Sequence, residues 1–266
     1  MGQLIFIGLG LHDDTGISLH GLQEVKAADN VFIELYTNPM PNFSIERFEC
    51  ISGKKLVTVS RKELEEENGK NILQAAETGK TILLVPGDPL IATTHVTLRI
   101  EAKKRRIETR IIHGASIISA AISLSGLHNY KFGKTVTIPF PDENPSETPY
   151  TVITQNKHLG LHTLCLLDTK TEQKRYLTIH DGLNALLNVE ARRKQGTVTA
   201  DTLVVGVSRA GSDNPTVKAG PIKDVLNHGF GEPPHTLIFP GKLHFTEAEA
   251  LITLADAPES LRVTAE

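Results

Sequence analysis

Short, unbroken aliphatic runs that stop abruptly at glycine restrict what this chain can fold into more than any other feature. Leu4-Ile5-Phe6-Ile7 passes into Gly8-Leu9-Gly10-Leu11, and Ile82-Leu83-Leu84-Val85 passes into Pro86-Gly87-Asp88-Pro89-Leu90. A strand that is apolar at every position belongs in a sheet covered on both faces, because both rows of its side chains are buried. Glycine at the carboxyl end of such a strand lets a ligand come close to the backbone. Two such turns in one sheet point to one small-molecule site.

The first half alternates strand and helix. Strands are predicted over residues 4–7, 31–36, 56–59, 81–85 and 107–112. Helices are predicted over 21–28, over 62–78 with Gly79 as the stop, and through Lys104 after a cap at Thr93 or Thr94. That order predicts a parallel α/β sheet with crossover helices. A small-residue helix over 116–124 follows, then a loop over 139–149 where four prolines stand among polar residues. The second half is less regular, with strands over 163–167, 203–207 and 236–239, a short edge strand at 217–219 and a helix over 177–194. Thr246-Glu247-Ala248-Glu249 fits a capping box before the last helix. Two α/β domains, 1–112 and 113–266, with a cleft between them are the economical organisation for 266 residues.

Composition narrows the function classes. Hydrophobic residues make up 39% and charged residues 22%, as in a soluble globular protein, and a net charge of −3 argues against a dedicated nucleic-acid binder. The apolar runs are far shorter than a membrane span, and the chain enters its first strand with no signal-type segment, so a cytoplasmic protein is expected. Cys50 and Cys165 form no CxxC pair and are expected to be reduced and structural. The eleven histidines make no HExxH and no Cys/His cluster, so no metal is expected. Neither GxSxG nor GxxxxGK[ST] occurs, which argues against the common hydrolases and NTPases.

Four turns remain as carriers of chemistry. Gly8-Leu9-Gly10-Leu11-His12-Asp13 begins like a dinucleotide fingerprint, but Asp13 stands where glycine or alanine is needed. The following Asp13-Asp14-Thr15-Gly16 reads as a loop whose carboxylates would repel a pyrophosphate, so a standard nicotinamide site is rejected. Pro89 biases Asp88 towards extended backbone at the sheet edge. There its carboxylate can accept from ribose hydroxyls or simply cap the next helix. Ser116, in His113-Gly114-Ala115-Ser116-Ile117, can cap a helix or meet a ligand. His235 follows Pro233-Pro234, and it is either fixed at a cleft or an ordinary loop histidine. The basic runs Lys103-Lys104-Arg105-Arg106 and Arg192-Arg193-Lys194 read as helix ends favoured by the dipole.

In this order, the Gly8-Leu9-Gly10 and Gly87-Asp88-Pro89 turns resemble the tetrapyrrole methylase superfamily. The finer resemblance is to the diphthine synthases, the methyltransferases of diphthamide biosynthesis. It rests on Ala92-Thr93-Thr94-His95, Gly126-Leu127-His128-Asn129-Tyr130-Lys131-Phe132-Gly133-Lys134 and Gly160-Leu161-His162. It continues through Asp201-Thr202-Leu203, Arg209-Ala210-Gly211-Ser212, Asn214-Pro215-Thr216, Pro233-Pro234-His235 and Pro240-Gly241-Lys242-Leu243-His244. The resemblance implies a homodimer whose subunits each hold two α/β domains of the tetrapyrrole methylase type, with the cofactor cleft between them. The implied cofactor is S-adenosyl-L-methionine, contacted by Leu11, Asp88, Ile91, Ser116, Ile117, Leu167, Ala210 and His235. Ala115 stands where the resemblance leads one to expect proline, and Ile91 where it leads one to expect valine. The implied reaction is N-methylation, to the trimethylammonium form, of the 3-amino-3-carboxypropyl-histidine intermediate on translation elongation factor 2. The alternatives are a corrin or porphyrin methyltransferase, a nicotinamide-dependent oxidoreductase and a non-enzymatic adenosine-nucleotide sensor.

Overall fold

In the computed structural model, which describes residues 2–143 and 145–264, the first strand shows why its sequence is apolar without interruption. Along β1 (Gln3–Gly8), Leu4 and Phe6 pack in one cluster, and Ile5 and Ile7 in another. The sheet is covered on both faces, and each of these side chains is removed from water. Full burial of one such residue is worth roughly 1.5–3 kcal/mol.

The other elements of this unit are α1 (Leu19–Lys26), β2 (Asn30–Ile33), α2 (Ile45–Ser52), β3 (Val57–Thr58), α3 (Lys70–Thr78), β4 (Lys80–Val85), α4 (Val96–Lys104) and β5 (Glu108–Ile112). The five strands lie in the order β3-β2-β4-β1-β5 and every pairing is parallel, as the alternation of strands and helices predicts. One face meets α3 and α4 through Ile72, Leu73, Ala76, Leu98 and Ala102, and the other meets Val25 of α1 and Phe48 of α2.

Three local expectations are corrected. The strand predicted over 31–36 ends at Ile33, because the Glu34 carboxylate accepts from Tyr36 N and Thr37 N, each at 3.0 Å, and turns the chain. The helix predicted over 62–78 is broken. A π-helix (Lys62–Glu66) precedes α3, and Asn68 and Gly69 between them are both left-handed, at φ 52° and 60°. Neither Thr93 nor Thr94 caps α4. Thr93 Oγ1 donates to Pro89 O and Thr94 Oγ1 to Glu65, and the capping position is His95, with no side-chain cap bond.

Helix α5 (Ile117–Ser125) leads into a second sheet built from β6 (Val136–Ile138), β7 (Thr163–Leu167), β10 (Leu203–Ser208), β11 (Thr216–Pro221) and β12 (His235–Phe239). Its order is β11-β10-β12-β7-β6, with β11 at an edge, and only β6 with β7 is parallel. Helices α6 (Thr148–His158) and α7 (Ile179–Arg193) bury Tyr150, Ile153, Leu183 and Leu186 against Ile138, Cys165, Leu167 and Leu237. A two-residue ribbon, β8 (Thr169–Lys170) with β9 (Arg175–Tyr176), and the helices α8 (Ile222–Val225), α9 (Phe245–Ala255) and α10 (Leu261–Thr264) complete the fold. The proline-rich loop ends earlier than 149, because Pro149 sits in the first turn of α6, where its missing N–H costs nothing. The capping box of α9 is also shifted. His244 is the cap, and Glu247 reaches back to His244 N.

By compactness the chain divides into Met1–Ile117 with Lys170–Lys174, and Ile118–Thr169 with Arg175–Glu266. No helix among the described residues is long and apolar enough to cross a membrane.

Candidate active site

In the first unit, three turns at the carboxyl ends of β1, β4 and β5 meet. Beyond β1, Leu9 N donates to Val85 O at 2.8 Å. Gly87 N then donates to Gly10 O at 2.6 Å and Gly10 N to Gly87 O at 3.3 Å. Both glycines are left-handed, at φ 80° and 70°, which side chains other than glycine rarely tolerate. A Cβ on Gly8 would lie 2.4 Å from Gly87 O and 2.6 Å from Gly114 N, so the third turn is packed directly against the other two. At Gly87, by contrast, a Cβ would have only Ala115 O near it, at 3.9 Å. That face of the turn is open to an approaching group.

Leu11, Asp88, Ile91 and Ser116 lie on these three turns, and Ile117 opens the helix that follows the third. Leu11 is buried, while Ile91 is 44% exposed. Ile91 N donates to Asp88 O at 3.3 Å. Helix α5 starts at Ile117, directly after Ser116. Asp13 and Asp14 are tied off in the loop after the first turn. Asp13 accepts from Thr15 N and Oγ1, and Asp14 pairs with Arg47, whose hydrogen bond holds that carboxyl below its ordinary value against the opposing effect of burial.

Asp88 is 7% exposed, and both carboxylate oxygens are engaged. Oδ1 accepts from Leu90 N at 3.2 Å, and Oδ2 lies 2.7 Å from His113 Nδ1. Asp88 is legible in the sequence as a ribose acceptor or a cap, but its pairing with His113 is not. The two are 25 residues apart, and only the adjacency of β1 to both β4 and β5 brings their turns together.

In the second unit, Leu167, Ala210 and His235 gather at one end of the sheet. Leu167 closes β7, and His235 opens β12 one step beyond the Thr236–Leu166 pair. Ser208 pairs with His235, and Arg209 N donates to Pro234 O at 2.9 Å, which brings Ala210 alongside. Ile179 N donates to His235 Nδ1 at 3.3 Å, so the neutral ring carries its proton on Nε2. Burial, aided by the charge of Arg209, lowers the His235 pKa, although main-chain groups of Gly231 and Glu232 act in the opposite direction. Those groups make no hydrogen bond of normal geometry to Nε2. His235 Nε2, Arg209 Nε and Ser212 Oγ are buried with no hydrogen-bond partner among the described residues. Such groups are costly unless something satisfies them.

At the other end of the second sheet, motifs that carried the resemblance converge on one buried carboxylate. Glu247 is wholly buried and accepts from His128 N and His244 N, both at 2.8 Å, from His162 Nε2 at 2.9 Å and from Lys131 Nζ. The sequence marked Glu247 only as a capping residue. Its partners come from segments 85 and 119 positions away. No group of three or more His, Cys, Asp or Glu side chains among the described residues is arranged to hold a metal ion.

Residues 3–226 match the profile of the Tetrapyrrole (Corrin/Porphyrin) Methylases. The chain belongs to this family. Its relatives include the diphthine synthase of Methanosarcina mazei, 46% identical over 265 residues that cover 97% of this chain and 98% of the relative. That of Methanocaldococcus jannaschii is 46% identical over 257 residues, covering 96% and 99%. A crystal structure of a diphthine synthase superposes with a TM-score of 0.88 at 39% identity, over 99% of this chain and 100% of the other. Similarity of this extent spans both units.

Proposed function

We propose that this chain methylates, to the trimethylammonium form, the amino group of the 3-amino-3-carboxypropyl-histidine intermediate on translation elongation factor 2, as a homodimer in the cytoplasm. The observation that carries this reading is the near-complete, 46% identity to diphthine synthases. The chemistry of the turns supports it.

The residues fit S-adenosyl-L-methionine. The open face of Gly87 permits close approach of a ligand to the backbone, and His235 Nε2, Arg209 Nε and Ser212 Oγ offer donors that the protein itself leaves unmatched. We assign the cofactor contacts to Leu11, Asp88, Ile91, Ser116 and Ile117 in the first unit and to Leu167, Ala210 and His235 in the second. When bound, the cofactor supplies a methyl group already activated on sulfonium. The chain's own work is to align and desolvate the acceptor. Leu11, Ile91 and Leu167 present apolar surface that excludes water. His235 is neutral, and its Nε2–H donates to an acceptor without adding positive charge beside a sulfonium.

The deciding experiment is transfer of labelled methyl groups to elongation factor 2 carrying the histidine intermediate. Label on that factor, and none on the unmodified factor, is expected. Label on a corrin or porphyrin instead would overturn the assignment.

A further inference from the structure

We infer that His113 is the base that takes the proton from the substrate ammonium before each methyl transfer, with Asp88 as its positioning residue. The inference rests on the proposed reaction and deepens it.

The acceptor arrives in the wrong protonation state. An aliphatic amine of this kind titrates in the range spanned by an α-amino group and a lysine, about 8 to 10. Near neutral pH it is mostly ammonium, with no lone pair to attack a methyl group. Each product short of the trimethylated one is again an ammonium. Reaching the trimethylammonium form therefore releases a proton at every transfer, and a base at the site has to be reset each time.

His113 has the geometry for this. It stands on the turn after β5, against the first two turns, and its Nδ1 lies 2.7 Å from Asp88 Oδ2. Asp88 is almost wholly buried and is fixed by Leu90 N, whereas the His113 side chain is 77% exposed. A carboxylate only accepts, so Nδ1 donates, and in the neutral ring the lone pair stands on Nε2. This is how a buried carboxylate orients a basic imidazole in hydrolytic triads. In the step itself the ammonium N–H bond breaks and an Nε2–H bond forms, while the electron pair stays on the amine nitrogen. The exposed imidazolium then returns its proton to water. The other titratable groups on the three turns are engaged elsewhere: His12 with Asn42, Asp13 with Thr15, Asp14 with Arg47, and His95 with Glu34.

The test is single-turnover labelling of elongation factor 2 carrying the intermediate, by wild type and His113→Gln, from pH 6.5 to 9.5. Titration of S-adenosylhomocysteine into both proteins accompanies it. At pH 7 the variant is expected to be about 100-fold slower, a modest share for a general base. The deficit should close to within about fivefold at pH 9.5, where a substantial share of the amine is neutral by itself. Affinity for S-adenosylhomocysteine should stay within about threefold, or about 0.7 kcal/mol. Equal rates at pH 7, a deficit that is the same at every pH, or a lost affinity would each overturn the assignment. The last two would make His113 a prop for the Asp88 turn. A wild type that labels nothing at any pH would overturn the function itself.

Discussion

Gly10 and Gly87, 77 residues apart, are joined by a reciprocal pair of main-chain hydrogen bonds that locks the first two turns together. Because neither bond involves a side chain, the geometry of the site's first half depends on which backbones can touch. Glycine is required at Gly8 for contact and at Gly87 for conformation.

Those two requirements separate experimentally. In Gly8→Ala the new Cβ meets main-chain atoms at 2.4 and 2.6 Å, so the turns must part. We expect a loss of about 2–3 kcal/mol in denaturant unfolding, together with loss of S-adenosylhomocysteine binding. Gly87→Ala meets nothing closer than 3.9 Å and bears only the strain of φ 70°. It should lose about 1–2 kcal/mol. A Gly87 variant less stable than the Gly8 variant would contradict this reading.

The Glu247 hub predicts the acid response. Burial pushes this carboxyl up, but hydrogen bonds from His244 N, Lys131, His128 N and His162 outweigh it and hold the pKa at about 2. Its folded value is depressed, so its contribution, about 3 kcal/mol, is present above about pH 4.5 and is lost as pH falls towards 2. His162 titrates earlier. Gly241 N donates to its Nδ1, so protonation there breaks a buried bond, and burial holds its pKa below the ordinary value against the pull of Glu247. Stability should therefore begin to fall below about pH 6.5 and fall faster below 4.5. Melting temperature against pH checks this. In His162→Gln the decline between pH 7 and 5 should be shallower than in wild type. Glu247→Gln, which leaves Lys131 without its buried partner, should lose about 3 kcal/mol at pH 7.

His235→Ala removes a buried ring nitrogen, Nε2, that has no hydrogen-bond partner among the described residues. Affinity for S-adenosylhomocysteine should drop about tenfold, or about 1.4 kcal/mol, the worth of one buried hydrogen bond. Calorimetric titration reads it directly, and unchanged affinity would remove His235 from the site.

Both cysteines are free, but their settings differ. Cys165 lies inside β7, and burial pushes its thiol far up, whereas Cys50 is exposed on α2, contrary to the expectation that both are structural. Thiol titration should count one reactive group in the native protein and two after unfolding.

The sequence alone determined the parallel first sheet and the positions of the glycine turns that close its strands. Both follow from local requirements, namely side chains buried on two faces and glycine where the backbone is left-handed or crowded. It also marked His235, because two prolines confine it. What only the tertiary structure decided are partnerships between distant residues. The pairing of His113 with Asp88 needs β4 and β5 to flank β1, the Glu247 hub draws on three separate segments, and the unmatched Nε2 of His235 is defined by what does not surround it. The break in the 62–78 helix belongs here as well. Asn68 alone does not announce a left-handed residue, and Gly69 is favoured by its own left-handed backbone at φ 60°, beside Leu98 of another helix. Propensity is a property of neighbours in sequence, whereas burial and hydrogen-bond satisfaction are properties of neighbours in space.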